Sequence, residues 1–271
     1  MILYSLPDWL MAMCVVGGIV GMSLIGYFVF HWTCQPKFTD DNKSVALTVL
    51  TVVATINSLL LAFLAVSVWQ SFNAADDAVV QEANTVGALA RDLAIYNTAE
   101  ARDARQRLRE YANLVVTTEW KDMQRGEASP RVWDQFDRMF AVIGTLEPDT
   151  PRRTVMLPEI LARANELLKQ RRTRLHTSES KVPMTLWMVV LLGTILTIGT
   201  TYALTPSRFH VSMLGVTAAS TALVFHLIVA MDRPFAGEQS IDAGPFRLAI
   251  DNMNRWDTQI APTPDTTTGK R

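Results

Sequence analysis

Four hydroxyl side chains, Thr48, Thr51, Thr55 and Ser58, recur at intervals of three, four and three residues inside an apolar run. That spacing places them on one face of a helix. Ala62 and Ala65 continue the face toward Trp69, and Asn57 lies beside it. Hydroxyls turned to lipid gain nothing, whereas hydroxyls turned to a water-filled axis can hydrate or coordinate a passing ion. One chemistry for the stripe is therefore the wall of an ion path, with Thr48, Thr51, Thr55, Asn57, Ser58 and Ala62 as its lining. The other is close packing between membrane helices, each hydroxyl bonded to its own backbone. A full amide at mid-span is costly unless bonded, so Asn57 is an interhelical link or a constriction residue.

A second constellation stands behind the last apolar run, as Met231-Asp232-Arg233-Pro234-Phe235-Ala236-Gly237. Two opposite charges and a helix breaker sit where a hydrocarbon-buried helix must meet water. Asp232 and Arg233 can satisfy each other or cap neighbouring helix ends, Pro234 stops the helix, and Phe235 anchors the loop at the interface. Asp232, Glu238 and Asp242 also gather oxygen ligands, but without the alternate ligand positions and central Gly of a calcium loop. The junction reads as a structural latch running to Gly237. His226 stands alone in the fourth apolar run and reads as a neutral interhelical contact. His31 and Cys34 supply two metal-binding atoms, fewer than a site requires. Phosphate-cradling Gly loops, zinc-protease helices, nucleophile elbows and cysteine clusters are absent from the sequence. The reading is a non-enzyme without cofactor or metal.

The elements that must position these residues are set by segregation of apolar side chains. Residues 9–31, 45–69, 182–204 and 210–231 each exceed twenty positions without Asp, Glu, Lys or Arg. At about 1.5 Å per residue, each crosses a hydrocarbon core of roughly 30 Å. The first lacks the basic leader and small-residue cleavage site of a secretory signal, so it is read as a retained span. Its Gly17, Gly18, Gly21 and Gly26 offer a close-approach packing face. Cys14 and Cys34 are a helix length apart, and no disulfide is expected.

Between the second and third spans, acidic and basic residues balance, which leaves no electrostatic footprint for nucleic acid. Four spans put both termini and this segment on one side. Arg171, Arg172, Arg174, Lys181, Arg233 and Arg247 flank that side against Lys37, Lys43 and Arg208 on the other, so both termini are expected in the cytoplasm. No Gly or Pro interrupts Val45 to Val86, and Val79, Ala83, Val86, Ala90 and Leu93 keep helical spacing. One long helix is expected to leave the membrane. A second helix is expected from an N-cap at Thr98 to about Gln124, and a third from Ser129-Pro130 with a stripe of Val132, Phe136, Met139, Phe140 and Ile143. Pro148 and Pro151 read as breaks, with a fourth helix from about Leu157. The fold class is all-α: a polytopic membrane protein of four transmembrane helices with a cytosolic helical bundle between spans two and three. Its segments are 1–69, 70–181, 182–231, a junction and amphipathic helix at 232–256, and a disordered tail at 257–271.

The Asp232-Arg233-Pro234-Phe235-x-Gly237 box closing a final span, followed by Gly244-Pro245-Phe246, resembles the bestrophin-like membrane proteins of bacteria and plants. Leu59-Leu60-Leu61-Ala62-Phe63, Trp69, Glu82-Ala83-Asn84 and the Arg107 and Tyr111 pair look like the same family's long second helix and its cytosolic partner. The resemblance implies a homo-oligomeric, bestrophin-like ion channel of the inner (plasma) membrane, since bestrophins are pentameric anion channels. It also implies permeant ions and the lipid bilayer as partners. Ile56, Phe63 and their neighbours are mixed with hydroxyls rather than stacked as a bulky apolar neck, which leaves selectivity open. The alternative is a non-conducting scaffold or signalling adaptor whose cytosolic helices bind a partner.

The expected topology leaves Cys34 on the outer face. A membrane-impermeant thiol reagent applied to intact cells is expected to label Cys34, and Cys34→Ser to abolish the signal. Labelling only after the inner face is opened would invert the topology.

Overall fold

The computed structural model describes residues 6–34 and 39–260, with 40, 259 and 260 described by their backbone alone. Lys37 and the tail from residue 261 lie outside the described residues. The helices are α1 (Asp8–Cys34), α2 (Asp40–Tyr96), α3 (Ala99–Leu114), α4 (Trp120–Met123), α5 (Pro130–Ile143), α6 (Pro151–Glu179), α7 (Met184–Thr201), α8 (Arg208–Met231) and α9 (Gly244–Ile260). A π-helical segment, Val115–Glu119, joins α3 to α4. Four helical stretches are long and apolar enough to span a membrane, and the described residues hold no strand. The fold is all-α.

The described residues pack as two units, one within 1–73 and 180–240, the other within 74–179 and 241–271. In the apolar unit, α1 packs on α8, and α8 on α7. The inner stripe of α2 (Leu61, Leu64, Val68) meets Val190 of α7 and Phe225 and Ile228 of α8. Trp187 stacks on Phe225 with ring centroids 6.1 Å apart. Without a hydrophobic force between helices already in lipid, shape must hold them. Two glycines show how. A Cβ on Gly193 would stand 2.3 Å from the Asn57 amide oxygen, and one on Gly26 would stand 2.5 Å from the Tyr202 hydroxyl. Tyr202 donates to the Ser23 carbonyl at 2.9 Å, and Tyr27 donates to the Leu204 carbonyl at 2.9 Å, which ties the start of the α7–α8 connection to α1. Gly17, Gly18 and Gly21, read as a packing face, have no neighbour within 4 Å of an added Cβ among the described residues.

In the polar unit, α3 packs on α5 and α9, and α6 on α4 and α5. Thr98 caps α3 by accepting from the Ala101 amide at 3.1 Å. Pro130 sits in the first turn of α5, where its missing N–H costs nothing. The fourth helix starts earlier than Leu157: Thr150 accepts from the Arg153 amide at 3.3 Å, and Pro151 occupies the first helical position rather than breaking the chain. The last helix also continues to Ile260, four residues past Trp256. Arg105 and Arg109 both pair with Asp257. Burial would raise the Asp257 carboxyl, but hydrogen bonds and charge from Arg105 and Arg109 outweigh it and hold it below the usual carboxylate range.

Gly193→Ala is expected to lower the thermal stability of the detergent-purified protein by about 1–3 kcal/mol, because the added methyl displaces Asn57 or parts α2 from α7. Gly17→Ala is expected to leave the isolated protomer unchanged. A thermal melt of both variants checks the contrast.

Candidate functional site

Two residue sets compete for function, and the apolar unit carries the first. On α2, Thr48, Thr51, Thr55, Ser58 and Ala62 are all exposed in the protomer, while Leu61, Leu64 and Val68 are buried on the other side. Each threonine donates its hydroxyl hydrogen to the carbonyl four residues back: Thr48 to Ser44 at 3.0 Å, Thr51 to Leu47 at 2.9 Å and Thr55 to Thr51 at 2.7 Å. Their oxygen lone pairs are left facing outward. Ile56, Phe63 and Trp69 on the same helix are exposed too, Phe63 to 66%.

Asn57 leaves this set. It is 4% exposed, donates to the Thr194 hydroxyl at 3.3 Å and fits against Gly193. Of the two roles open to it, the structure gives it the interhelical link. Its amide oxygen finds no hydrogen-bond partner among the described residues.

At the junction, the Asp232 carboxylate accepts the Val182 amide at 2.8 Å, so the exit of α8 holds the entry of α7. Pro234 and Phe235 are buried, and Ala236 donates to the Arg233 carbonyl at 3.1 Å in the turn that follows. Gly237 has a φ of 93°, a left-handed conformation that strains any residue with a Cβ. Beyond it, Glu238 accepts the Asp8 amide at 2.7 Å and Gln239 donates to the Asp8 carboxylate at 2.8 Å, which ties the start of α1 to the same turn. The Asp8 carboxylate also lies 3.6 Å from His226 Nε2. His31 contacts the Tyr27 carbonyl at 3.0 Å, and no cluster of three His, Cys, Asp or Glu side chains forms among the described residues.

The polar unit holds a constellation that spacing did not reveal. Glu82, Glu119, Arg171 and Arg174 have no solvent exposure. Arg174 donates through Nε to Glu82 at 2.6 Å and through Nη2 to Glu119 at 2.7 Å, and Arg171 donates to both oxygens of Glu119 at 2.6 and 3.0 Å. Tyr111 donates to Glu82 and accepts from Arg171 at 3.3 Å. The guanidinium of Arg171 lies over Trp133 at 4.5 Å, and that of Arg174 lies over Phe246 at 5.6 Å and Trp120 at 5.9 Å. Charges in so dry a site persist only beside opposite charge, which each of the four has, although Arg171 Nε finds no hydrogen-bond partner among the described residues. Burial alone would favour deprotonation of Arg174, but Glu82 and Glu119 outweigh it and hold the guanidinium above its ordinary range. Burial, reinforced by the charge of Glu82, pushes the Tyr111 phenol up. The ion pairs are closed to solvent and neutral in sum, which suits them to holding helices rather than to taking a ligand.

Four spans, a two-unit helical architecture and an exposed hydroxyl face define a multi-pass α-helical membrane protein. A model of the bestrophin-like domain matches residues 17–246, and the chain belongs to that family. A bacterial bestrophin homologue from Klebsiella pneumoniae, solved as a point mutant, is similar in fold with a TM-score of 0.65 at 14% identity, covering 90% of this chain and 98% of its own. A crystal structure of a mutant membrane protein gives a TM-score of 0.63 at 13% identity, covering 90% of this chain and 97% of the other. Curated protein sequences gave no match.

Arg174→Met leaves Glu82 short of its partner and is expected to destabilise the polar unit by about 3–5 kcal/mol. Arg172→Met, at an exposed neighbour, is expected to stay within about 0.5 kcal/mol. Hydrogen exchange of α6 and thermal melts check both.

Proposed function

We propose that the protein is a homo-oligomeric ion channel of the inner (plasma) membrane, with both termini cytoplasmic and α2 of each copy lining a shared axis. The observation that carries this reading is the outward face of α2, where Thr48, Thr51, Thr55, Ser58 and Ala62 point away from their own protomer. Four spans are too few to enclose a conduit, so the axis requires several copies, five by the resemblance to bestrophins. The fold likeness to a bacterial bestrophin homologue supports the same arrangement. Because the threonine hydrogens are committed to the backbone, each of the three rings formed by Thr48, Thr51 and Thr55 presents lone pairs, which suit a cation or its hydration water. Ser58 has no such commitment and can donate or accept. Asn57 acts behind the wall by holding α2 to α7, and the Asp232–Gly237 latch orders the helix ends.

In a site of effective dielectric about 20, a unit charge some 5 Å from a passing ion contributes on the order of 3 kcal/mol. Ser58→Asp is therefore expected to favour cations and Ser58→Lys anions in liposome flux, with Leu60→Ala close to the parent. Equal flux in all three, or none in the parent across calcium, pH and voltage, would reject the channel and leave a non-conducting scaffold. A monomeric mass in detergent would reject it as well.

A further inference from the structure

At one end of the apolar unit, between α2, the approach to α7 and the exit of α8, lies a pocket of about 280 Å³. Its polar wall comprises Lys181, Asp232 and the hydroxyls of Ser67, Ser71 and Ser180, and its apolar part includes Leu64, Val68, Leu186 and Met231. Lys181 and Asp232 are the first charged residues outside the third and fourth apolar runs, which sets the pocket at the depth of lipid headgroups. Asp232 gives one oxygen to the Val182 amide, and its second oxygen remains as an acceptor. The three serine hydroxyls and the Lys181 ammonium make no hydrogen bond or ion pair among the described residues. That contrasts with the span threonines, whose hydroxyls are bonded to their own helices, as at Thr194, Thr197, Thr217 and Thr221.

We propose that this pocket binds the headgroup of a phospholipid carrying both a phosphate and a primary ammonium, that is, a phosphatidylethanolamine. Lys181 and the serine hydroxyls receive the phosphate through charge-assisted hydrogen bonds. The free oxygen of Asp232 receives the ammonium, and the apolar residues meet the glycerol and the first acyl carbons. A purely anionic headgroup would bring nothing to Asp232 and would be repelled by it. A choline headgroup carries the charge but has no N–H to donate. The site is separate from the outward face of α2, and its occupancy does not depend on conduction.

The test uses the full-length protein, delipidated and then offered equal amounts of phosphatidylethanolamine, phosphatidylcholine and phosphatidylglycerol, with retained lipid read by native mass spectrometry. The parent is expected to retain phosphatidylethanolamine about tenfold over the others. Lys181→Ala and Ser67→Leu, both at exposed positions, are expected to lose that preference while keeping the parent's lipid-free melting temperature. Asp232→Asn keeps an oxygen for the Val182 amide and is expected to bring phosphatidylethanolamine down to the level of phosphatidylcholine. Any order in the parent without phosphatidylethanolamine first, or an unchanged preference in Lys181→Ala, overturns the proposal. Displacement of the lipid by an equal concentration of soluble phosphoethanolamine would assign the pocket to a soluble ligand and overturn it too.

Discussion

Two carboxylates and two guanidiniums without access to water can coexist only when all four are in place, and the polar unit is arranged around that condition. Glu82 comes from α2, Glu119 from the π-helical segment, and Arg171 and Arg174 from α6. Tyr111 of α3, Trp120 of α4, Trp133 of α5 and Phe246 of α9 close the cage. Every helix of that unit therefore contributes a group whose removal leaves a buried charge short of a partner or opens the site to solvent. Packing of apolar stripes such as Val132, Phe136, Met139 and Ile143 supplies the gross stability. The ion pairs select one arrangement among the many that apolar stripes alone would tolerate.

The apolar unit has no such electrostatic specification and relies on shape. Lipid is as apolar as leucine, so α2, α7 and α8 gain by fitting one another rather than by avoiding solvent. The fit is made at a few positions: Asn57 against Gly193, Tyr202 against Gly26, Trp187 against Phe225. Asn57, with Leu61, Leu64 and Val68, uses one side of α2 and leaves its hydroxyls outward. The same helix thus carries a seam that builds the protomer and a face available to something beyond it.

The four spans were legible because membrane burial acts on long runs of composition. The passage of α2 from Asp40 to Tyr96, the Thr98 cap and Pro130 in the first turn of α5 were legible because each is written in local spacing. Pro151 misled, since a proline that breaks a helix and one that begins it differ only in whether a capping residue such as Thr150 precedes it. The buried ion pairs join residues up to 92 positions apart, and nothing local distinguishes Arg171 and Arg174 from the exposed Arg172 between them. Counting all three as flanking positive charge treated two neutralised side chains as free. Glycine spacing was informative in part: of the expected face, Gly26 makes its close approach to Tyr202 while Gly17, Gly18 and Gly21 meet nothing among the described residues, and the approach of Gly193 to Asn57 had no local signal.

The π-helical segment Val115–Glu119 has a bearing on how this lineage can change in length. A π turn accommodates one residue more than the α-helix around it, so loss of one residue inside it is absorbed by a return to α-helical turns, whereas loss of one residue from the regular turns of α3 would rotate everything downstream by about 100°. Glu119 would swing out of its cage, and Trp120, whose indole donates to the Ile241 carbonyl at 3.2 Å, would leave with it. A one-residue deletion in α3 is thus a change of register for two anchoring side chains at once, while the Gly126–Ser129 connection behind it can lengthen without moving either. A change of length by one residue is therefore accommodated in the connection or at the π turn, and not in α3.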